Sequence, residues 1–409
     1  MTFTRRSLIA SAIATPVAAS AVGRTASGTS AHSLPLKDDF FTDGTFLNSA
    51  FTHPISKPVI AAMHEYVDVR LREPKRLWVT QDVENEAASL FARLINASSD
   101  DIAVVPSTMI GENLICASLD IRPGTRVVTD AFHYFASLAK YGEMRKQGVE
   151  VEFVAPRNNH ILLDDLDAAI TPGTRLVAIS LVSSHTGYVH DLKQICEIAH
   201  ARGALVYADI IQAAGAIPVD VRESGVDFAC CGGYKWLQGD FGAAFLYIRP
   251  EALDALIRVQ TGWRQVLHYR EHAFTYDPPG PIEGSWTVAP HTAEGLFEVS
   301  SPSHASLWTM RASIAYVLGI GIDNINAYRR PMMKRLFQGM GQLGFEPLTP
   351  QEQNSPIAAF AHPKIDPRVR ERCEARRIKA GIGQHYLRVS PSVFNTVDDI
   401  ELFLEALSG

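Results

Sequence analysis

The chain has 409 residues, a formal net charge of −6, 46% hydrophobic residues and 20% charged residues. Those fractions belong to an ordinary globular enzyme, and the mild acidity argues against a nucleic-acid partner. Beyond residue 32 there is no block of like charge, no low-complexity run and no internal repeat.

The chain opens with Arg5 and Arg6, then an apolar stretch over residues 8–21 that ends in small residues at Ala19 and Ala21. This is the pattern of a signal peptide, with cleavage after Ala21. Adjacent arginines directly before the apolar run point to a twin-arginine signal; an ordinary secretory signal or a disordered tail are the alternatives. The expectation is a periplasmic or secreted protein, carried by the twin-arginine translocase in its folded state. Residues 1–32 then lie outside the fold. The apolar stretch is too short and interrupted for a permanent membrane anchor, and no later segment qualifies.

From residue 80 the pattern alternates between helix and strand. Thr80 is placed to cap a helix whose apolar positions Val83, Ala87, Leu90 and Leu94 keep helical spacing. Strands are predicted at 102–105, 126–129, 149–154, 176–182, 204–208, 228–230 and 243–248. Helices are predicted from about 107 through 114, over 133–147 and over 192–202, the last closed by Gly203. Such alternation implies an α/β fold with a mostly parallel sheet covered on both faces. Residues 262–302 are rich in Gly, Pro, His and aromatics with little periodicity, and a long irregular segment of this kind is usually functional. Two helices follow at about 304–318 and 322–343, then strands at 356–360 and 386–389.

The five cysteines are Cys116, Cys196, Cys230, Cys231 and Cys373. Their number is odd, and no spacing matches a zinc or redox pair. Neither a disulfide nor a metal site is expected.

The chemistry concentrates around two strand ends. One apolar strand ends in Asp209. Twenty-six residues later a second leads through Gly232 and Gly233 into Tyr234-Lys235. A lone Lys after a strand is usually a solvated loop residue. Paired with an acid at the end of a preceding strand, it has the layout of a pyridoxal 5'-phosphate site. An amine can condense with an aldehyde, and an acid can keep the pyridine nitrogen protonated. Upstream, Ser107-Thr108-Met109 follows a strand and opens a helix, where amides bind phosphate; Ser107 or Thr108 serving only as a helix cap is the plainer reading.

These runs, with Tyr386-Leu387-Arg388 and Phe394-Asn395-Thr396 near the end, resemble the class V branch of fold-type-I pyridoxal-phosphate enzymes. The match spans roughly residues 45–405. The Tyr-Lys run looks most like kynureninase; isopenicillin N epimerases and cysteine desulfurases are also similar. The resemblance implies a seven-stranded-type sheet in a large cofactor-binding domain (76–290), a smaller α+β domain (291–409), and an N-terminal segment (33–75) packed with the latter. It implies a homodimer, with residues 262–302 reaching the site and the dimer contact.

By residue, the resemblance implies Lys235 as cofactor anchor and base, and Asp209 at the pyridine nitrogen. Thr108, Met109, Tyr234 and Trp263 would contact the phosphate. His133 would cover the ring, with Phe132 and Tyr134 as rivals. Ser184 and Gln212 would lie near the phenolic oxygen. Arg388 would take the carboxylate of a small amino-acid substrate. Residues 376–388 lack the desulfurase cysteine, and Ser301 stands where kynureninase has Asn. A class V aminotransferase is the leading expectation. A kynureninase-like or C–S lyase and an epimerase follow, with a catalytically silent binding protein as the non-enzyme alternative.

Overall fold

A computed structural model describes residues 33–74, 81–271 and 284–409. The expected signal segment and the Thr80 cap lie outside them. The chain enters through a short strand β1 (Thr45–Phe46) and helix α1 (Lys57–Arg72). The large unit then runs α2 (Gln81–Leu94), β2 (Ile102–Val105), α3 (Thr108–Ser118), β3 (Arg126–Asp130), α4 (Phe135–Lys146) and β4 (Glu150–Val154). It continues through α5 (Leu163–Ala169), β5 (Thr174–Ser180), α6 (Leu192–His200), β6 (Leu205–Asp209), α7 (Val221–Ser224), β7 (Phe228–Gly232) and β8 (Ala244–Ile248).

These strands form one seven-stranded sheet in the order β2-β8-β7-β6-β5-β3-β4. β8 runs antiparallel to both neighbours, and the other pairs are parallel. Helices cover both faces, so central strands read as continuous apolar runs. Leu176, Val177, Ala178 and Ile179 are all fully buried. Parallel strands all end on one edge, and Asp209 sits at that edge on β6. This is the fold-type-I architecture expected from the sequence.

Three details differ from expectation. α3 runs on to Ser118 because Ile115 and Cys116 continue its buried face. α4 starts at Phe135 rather than His133, because Asp130 closes a turn: its Oδ1 accepts the Phe132 N–H at 2.8 Å and its carbonyl accepts the His133 N–H at 3.1 Å. Within 262–302, where an irregular run was expected, β9 (Val266–Glu271) and β10 (Gly284–Val288) form an antiparallel hairpin followed by α8 (Ala293–Phe297). The β-branched and aromatic residues of that stretch favour strands, and its Gly, Pro and His content hides them.

Helices α9 (His304–Ile320) and α10 (Ile322–Gln342) meet at 71° about Gly321, whose φ is +86°. No single helix among the described residues is long and apolar enough to cross a membrane. The C-terminal unit adds β11 (Glu346–Pro347), β12 (Ala358–Ala361), α11 (Arg368–Ala375), β13 (Ile378–Lys379), β14 (Gly381–Ile382), β15 (Tyr386–Val389) and α12 (Val397–Ser408). Four of its strands form an antiparallel sheet ordered β11-β12-β15-β14. β1 pairs with β13, and Asn48 bridges to Ser390. The segment before α1 is therefore stitched to the C-terminal unit.

Candidate active site

The polar residues converge where β2, β6 and β7 end. Ser107, Thr108, Met109, Tyr134, Asp209, Ile211, Tyr234 and Lys235 line one crevice. Ser107 caps α3, its Oγ accepting the Ile110 N–H at 3.2 Å, and its carbonyl takes the Gly111 N–H. Among the described residues the N–H groups of Thr108 and Met109 have no such acceptor, as is usual for the first positions of a helix. The Gly232 N–H donates to Thr108 Oγ1 at 3.0 Å, which leaves the hydroxyl proton free to donate. Three donors thus face the crevice at the positive end of a helix.

Asp209 is buried at the end of β6. Its Oδ1 accepts the Ile211 N–H at 3.0 Å, and its second oxygen has no donor among the described residues. Burial pushes its pKa up, against the Ile211 N–H and the charges of His133 and Lys235. Lys235 is only 7% exposed, and its Nζ has no hydrogen-bond partner among the described residues. The Tyr234 ring centroid lies 5.8 Å from Nζ. Burial brings the Lys235 pKa down to about 8; Arg388 adds to this and Asp209 opposes it. A buried amine and a buried carboxylate oxygen that both lack partners are costly in a closed protein. Facing one crevice with a helix N-terminus, they fit a phosphate-bearing aldehyde with a basic ring nitrogen.

His133 does not line the crevice. Its side chain is fully buried, with Nδ1 2.8 Å from Ser180 Oγ and Nε2 3.3 Å from Glu112 Oε1. Glu112 also accepts from Ser137 at 2.6 Å and Lys140 at 2.9 Å. Burial opposes its ionisation, yet these partners hold its carboxyl well below the usual range. Phe132 is buried against Tyr188, at 5.3 Å between ring centroids. Of the three consecutive aromatics, Tyr134 is the one that faces the crevice.

Gln212 is held behind the wall: Nε2 donates to the Ala50 carbonyl at 3.0 Å, and Oε1 accepts from Trp236 Nε1 at 2.9 Å. Trp263 sits in a short turn, 51% exposed, and does not line the crevice. Tyr234 stacks on Phe241 at 4.2 Å.

On the C-terminal unit, Arg388 Nη1 donates to the Ser184 carbonyl at 2.5 Å and Nη2 to Asn48 Oδ1 at 3.3 Å. Ser184 thus meets Arg388 through its backbone. Next to this pair the His185 and Tyr386 rings stack at 4.3 Å, 3° from parallel. Asn48 and Ile211 were not singled out from the sequence. Ile211 carried a usable signal, two residues past the strand-end acid. Asn48 carried none, since its partner lies 340 residues away. All five cysteines are buried and unpaired.

Comparison with known proteins agrees with this architecture. The family described as Aminotransferase class-V matches residues 45–403. A probable cysteine desulfurase of Methanothermobacter thermautotrophicus is 30% identical over 301 residues, covering 72% of each chain. One of Pyrococcus abyssi is 26% identical, covering 88% of this chain and 93% of its own. An uncharacterized aminotransferase of Bacillus subtilis, YcbU, is 24% identical, covering 89% and 94%. Among solved structures, the apo cysteine desulfurase of Thermococcus onnurineus superposes with a TM-score of 0.76 at 23% identity, covering 92% of this chain and 96% of its own. The cystine C–S lyase C-DES, in complex with cysteine persulfide, gives 0.78 at 19%, covering 90% and 97%. These relatives are desulfurases, a C–S lyase and an aminotransferase rather than kynureninases. The matching family and the crevice together show that the chain belongs to the aminotransferase class-V family of pyridoxal-phosphate enzymes.

Proposed function

We propose that the protein is an exported enzyme that removes the Cα proton of a small sulfur-bearing α-amino acid and breaks its Cβ–S bond, releasing the sulfur to solution. The observation that carries this reading is the buried amine of Lys235 sharing one crevice with Asp209 and the start of α3, with every cysteine buried. Relatives named as desulfurases and a C–S lyase support the choice of bond. Transamination would use the same residues, and a relative named as an aminotransferase supports it as the second reading.

Bound in the crevice, pyridoxal phosphate supplies an electron sink for the charge left at Cα. The Thr108 and Met109 amides and the Thr108 hydroxyl would hold its phosphate. Asp209 would hold a proton on its ring nitrogen, and Tyr134 and Ile211 would bound the ring. Lys235 would anchor it and, once displaced by substrate, take the Cα proton; burial brings its pKa down to about 8, so far more of the amine is neutral near working pH than in a free lysine. Arg388 would grip the substrate carboxylate with its two nitrogens. Loss of the proton to Lys235 and of thiolate from Cβ leaves an unsaturated amino acid. Water converts that product to a 2-oxo acid and ammonia.

Arg5 and Arg6 before the apolar run support export through a folded-state route. Exposed Phe135, Phe241 and Trp263 support a homodimer.

Incubation with cysteine, cystine and a panel of other amino acids, with mass identification of products, tests the reading. Elimination from cysteine gives pyruvate, ammonia and sulfide. Transamination gives a 2-oxo acid that keeps its side chain, and desulfuration gives alanine. Turnover that persists in Lys235→Ala at the wild-type rate would sink the site assignment.

A further inference from the structure

A second cleft, of about 540 Å³, lies between α10 and the loop 349–355, among residues with no part in the site above. Arg329 forms part of its lining and is 2% exposed. Its Nη2 donates to the Ala216 carbonyl at 2.8 Å and to Asn326 Oδ1 at 3.1 Å, while Nη1 has no acceptor among the described residues. No carboxylate among the described residues balances this buried charge. Burial brings its pKa down to about 9, and the charge of Arg330 adds to the effect. Arg330 and Lys334 line the same cleft, and neither has an ion pair among the described residues. Glu352 is the one acid in the lining, and its carboxylate already faces His160 Nε2 at 3.3 Å. Met333 and Phe337 supply an apolar wall. A buried cation without a counter-charge is unfavourable unless something supplies one.

We propose that this cleft binds a small organic anion, a phosphate monoester or carboxylate head set against Arg329, Arg330 and Lys334 with a short apolar portion on Met333 and Phe337. The cleft is also wired to the active site. Arg329 Cζ lies 5.8 Å from the Trp236 ring centroid, and Trp236 follows Lys235 and donates to Gln212. Gln353, in the cleft wall, exchanges hydrogen bonds of 2.8 and 2.9 Å with the backbone of Val189. An anion in the cleft therefore perturbs the surroundings of Trp236.

Calorimetric titration of the holoenzyme with phenyl phosphate, benzoate and inorganic phosphate tests this. Phenyl phosphate or benzoate is expected to bind saturably and to change tryptophan emission, and inorganic phosphate to bind more weakly for want of the apolar contact. An Arg330→Ala, Lys334→Ala double variant should lose about tenfold or more in affinity, with kcat/KM unchanged when no anion is added. These two side chains reach the rim from an exposed helix face, so the variant tests the site even if Arg329→Met fails to fold. Binding should survive in Arg388→Gln, which separates this cleft from the substrate carboxylate position. Absence of saturable binding, or binding lost in Arg388→Gln and kept in the double variant, overturns the proposal. Binding by the best probe with unchanged tryptophan emission overturns the link to Trp236.

Discussion

The amide of Gly232 donates to Thr108 Oγ1 at 3.0 Å, joining the end of β7 to the start of α3. This bond crosses 124 residues of sequence and sets the direction of the Thr108 hydroxyl. With its oxygen accepting that bond, the hydroxyl proton is left available to the crevice that Thr108 lines. A Cβ at Gly232 would lie 3.2 Å from that oxygen and 3.1 Å from Ile211, closer than side chains normally pack. Thr108→Val should therefore lose the outward donor and leave the Gly232 N–H without an acceptor. A hydrogen bond to a charged group contributes roughly 1.5–3 kcal/mol, so cofactor affinity should fall by about ten- to a hundredfold. Equilibrium dialysis checks it, with Thr108→Ser expected to restore most of the loss.

Asp209→Asn should keep the cofactor bound, since phosphate and lysine contacts remain. The lost charge at the ring nitrogen should cost two or more powers of ten in rate, on the scale of ~3–4 kcal/mol for a preorganised charge. A variant within a few-fold of wild type in kcat would remove Asp209 from its assigned role.

Without cofactor, burial sets the Lys235 pKa at about 8, against an ordinary value of 10.5. Between those values the unfolded chain holds more protons than the folded one, so stability rises with pH from about 8 to about 10.5. Below pH 8 the full cost of the buried charge is present. Apoprotein carrying Lys235→Met should then be more stable than wild-type apoprotein by on the order of 3 kcal/mol, and the difference should shrink towards zero above pH 10.5. Urea midpoints at several pH values measure it. A difference that does not change with pH would falsify the burial account.

Tyr134 and His133 should separate cleanly. Tyr134→Ala should shift the cofactor absorbance and weaken its binding by a few-fold, the scale of an aromatic contact worth ~0.5–1.5 kcal/mol. His133→Ala should leave the spectrum nearly unchanged but lower stability by about 1–3 kcal/mol, because Ser180 and Glu112 lose a buried partner. The reverse pattern, from spectra and denaturant midpoints, would return His133 to the ring.

On the proposed twin-arginine route, in which a receptor reads the arginine pair rather than its charge, Arg5 and Arg6 both changed to Lys should strand full-length precursor in the cytoplasm with cofactor bound. Normal processing and periplasmic recovery of the double-lysine form would show that an ordinary secretory signal suffices.

The sequence by itself determined the alternation of strand and helix, the mostly parallel sheet, and the placing of Asp209 and Lys235 beyond the ends of neighbouring strands. Each follows from local periodicity or from residues that end neighbouring strands, and local pattern is legible along the chain. The hairpin at β9 and β10 was obscured, because turn-forming residues are interspersed with the strand formers around it. Tertiary structure alone decided which of Phe132, His133 and Tyr134 turns to the crevice. A turn closed by Asp130 sets three successive side-chain directions, and a rotation of one residue exchanges core for site. It alone joined Asn48 to Arg388, and Arg329 to Trp236, contacts made across 340 and 93 residues. No periodicity encodes such pairs; they exist only once two units pack and a buried charge has to find whatever partner the packing leaves within reach.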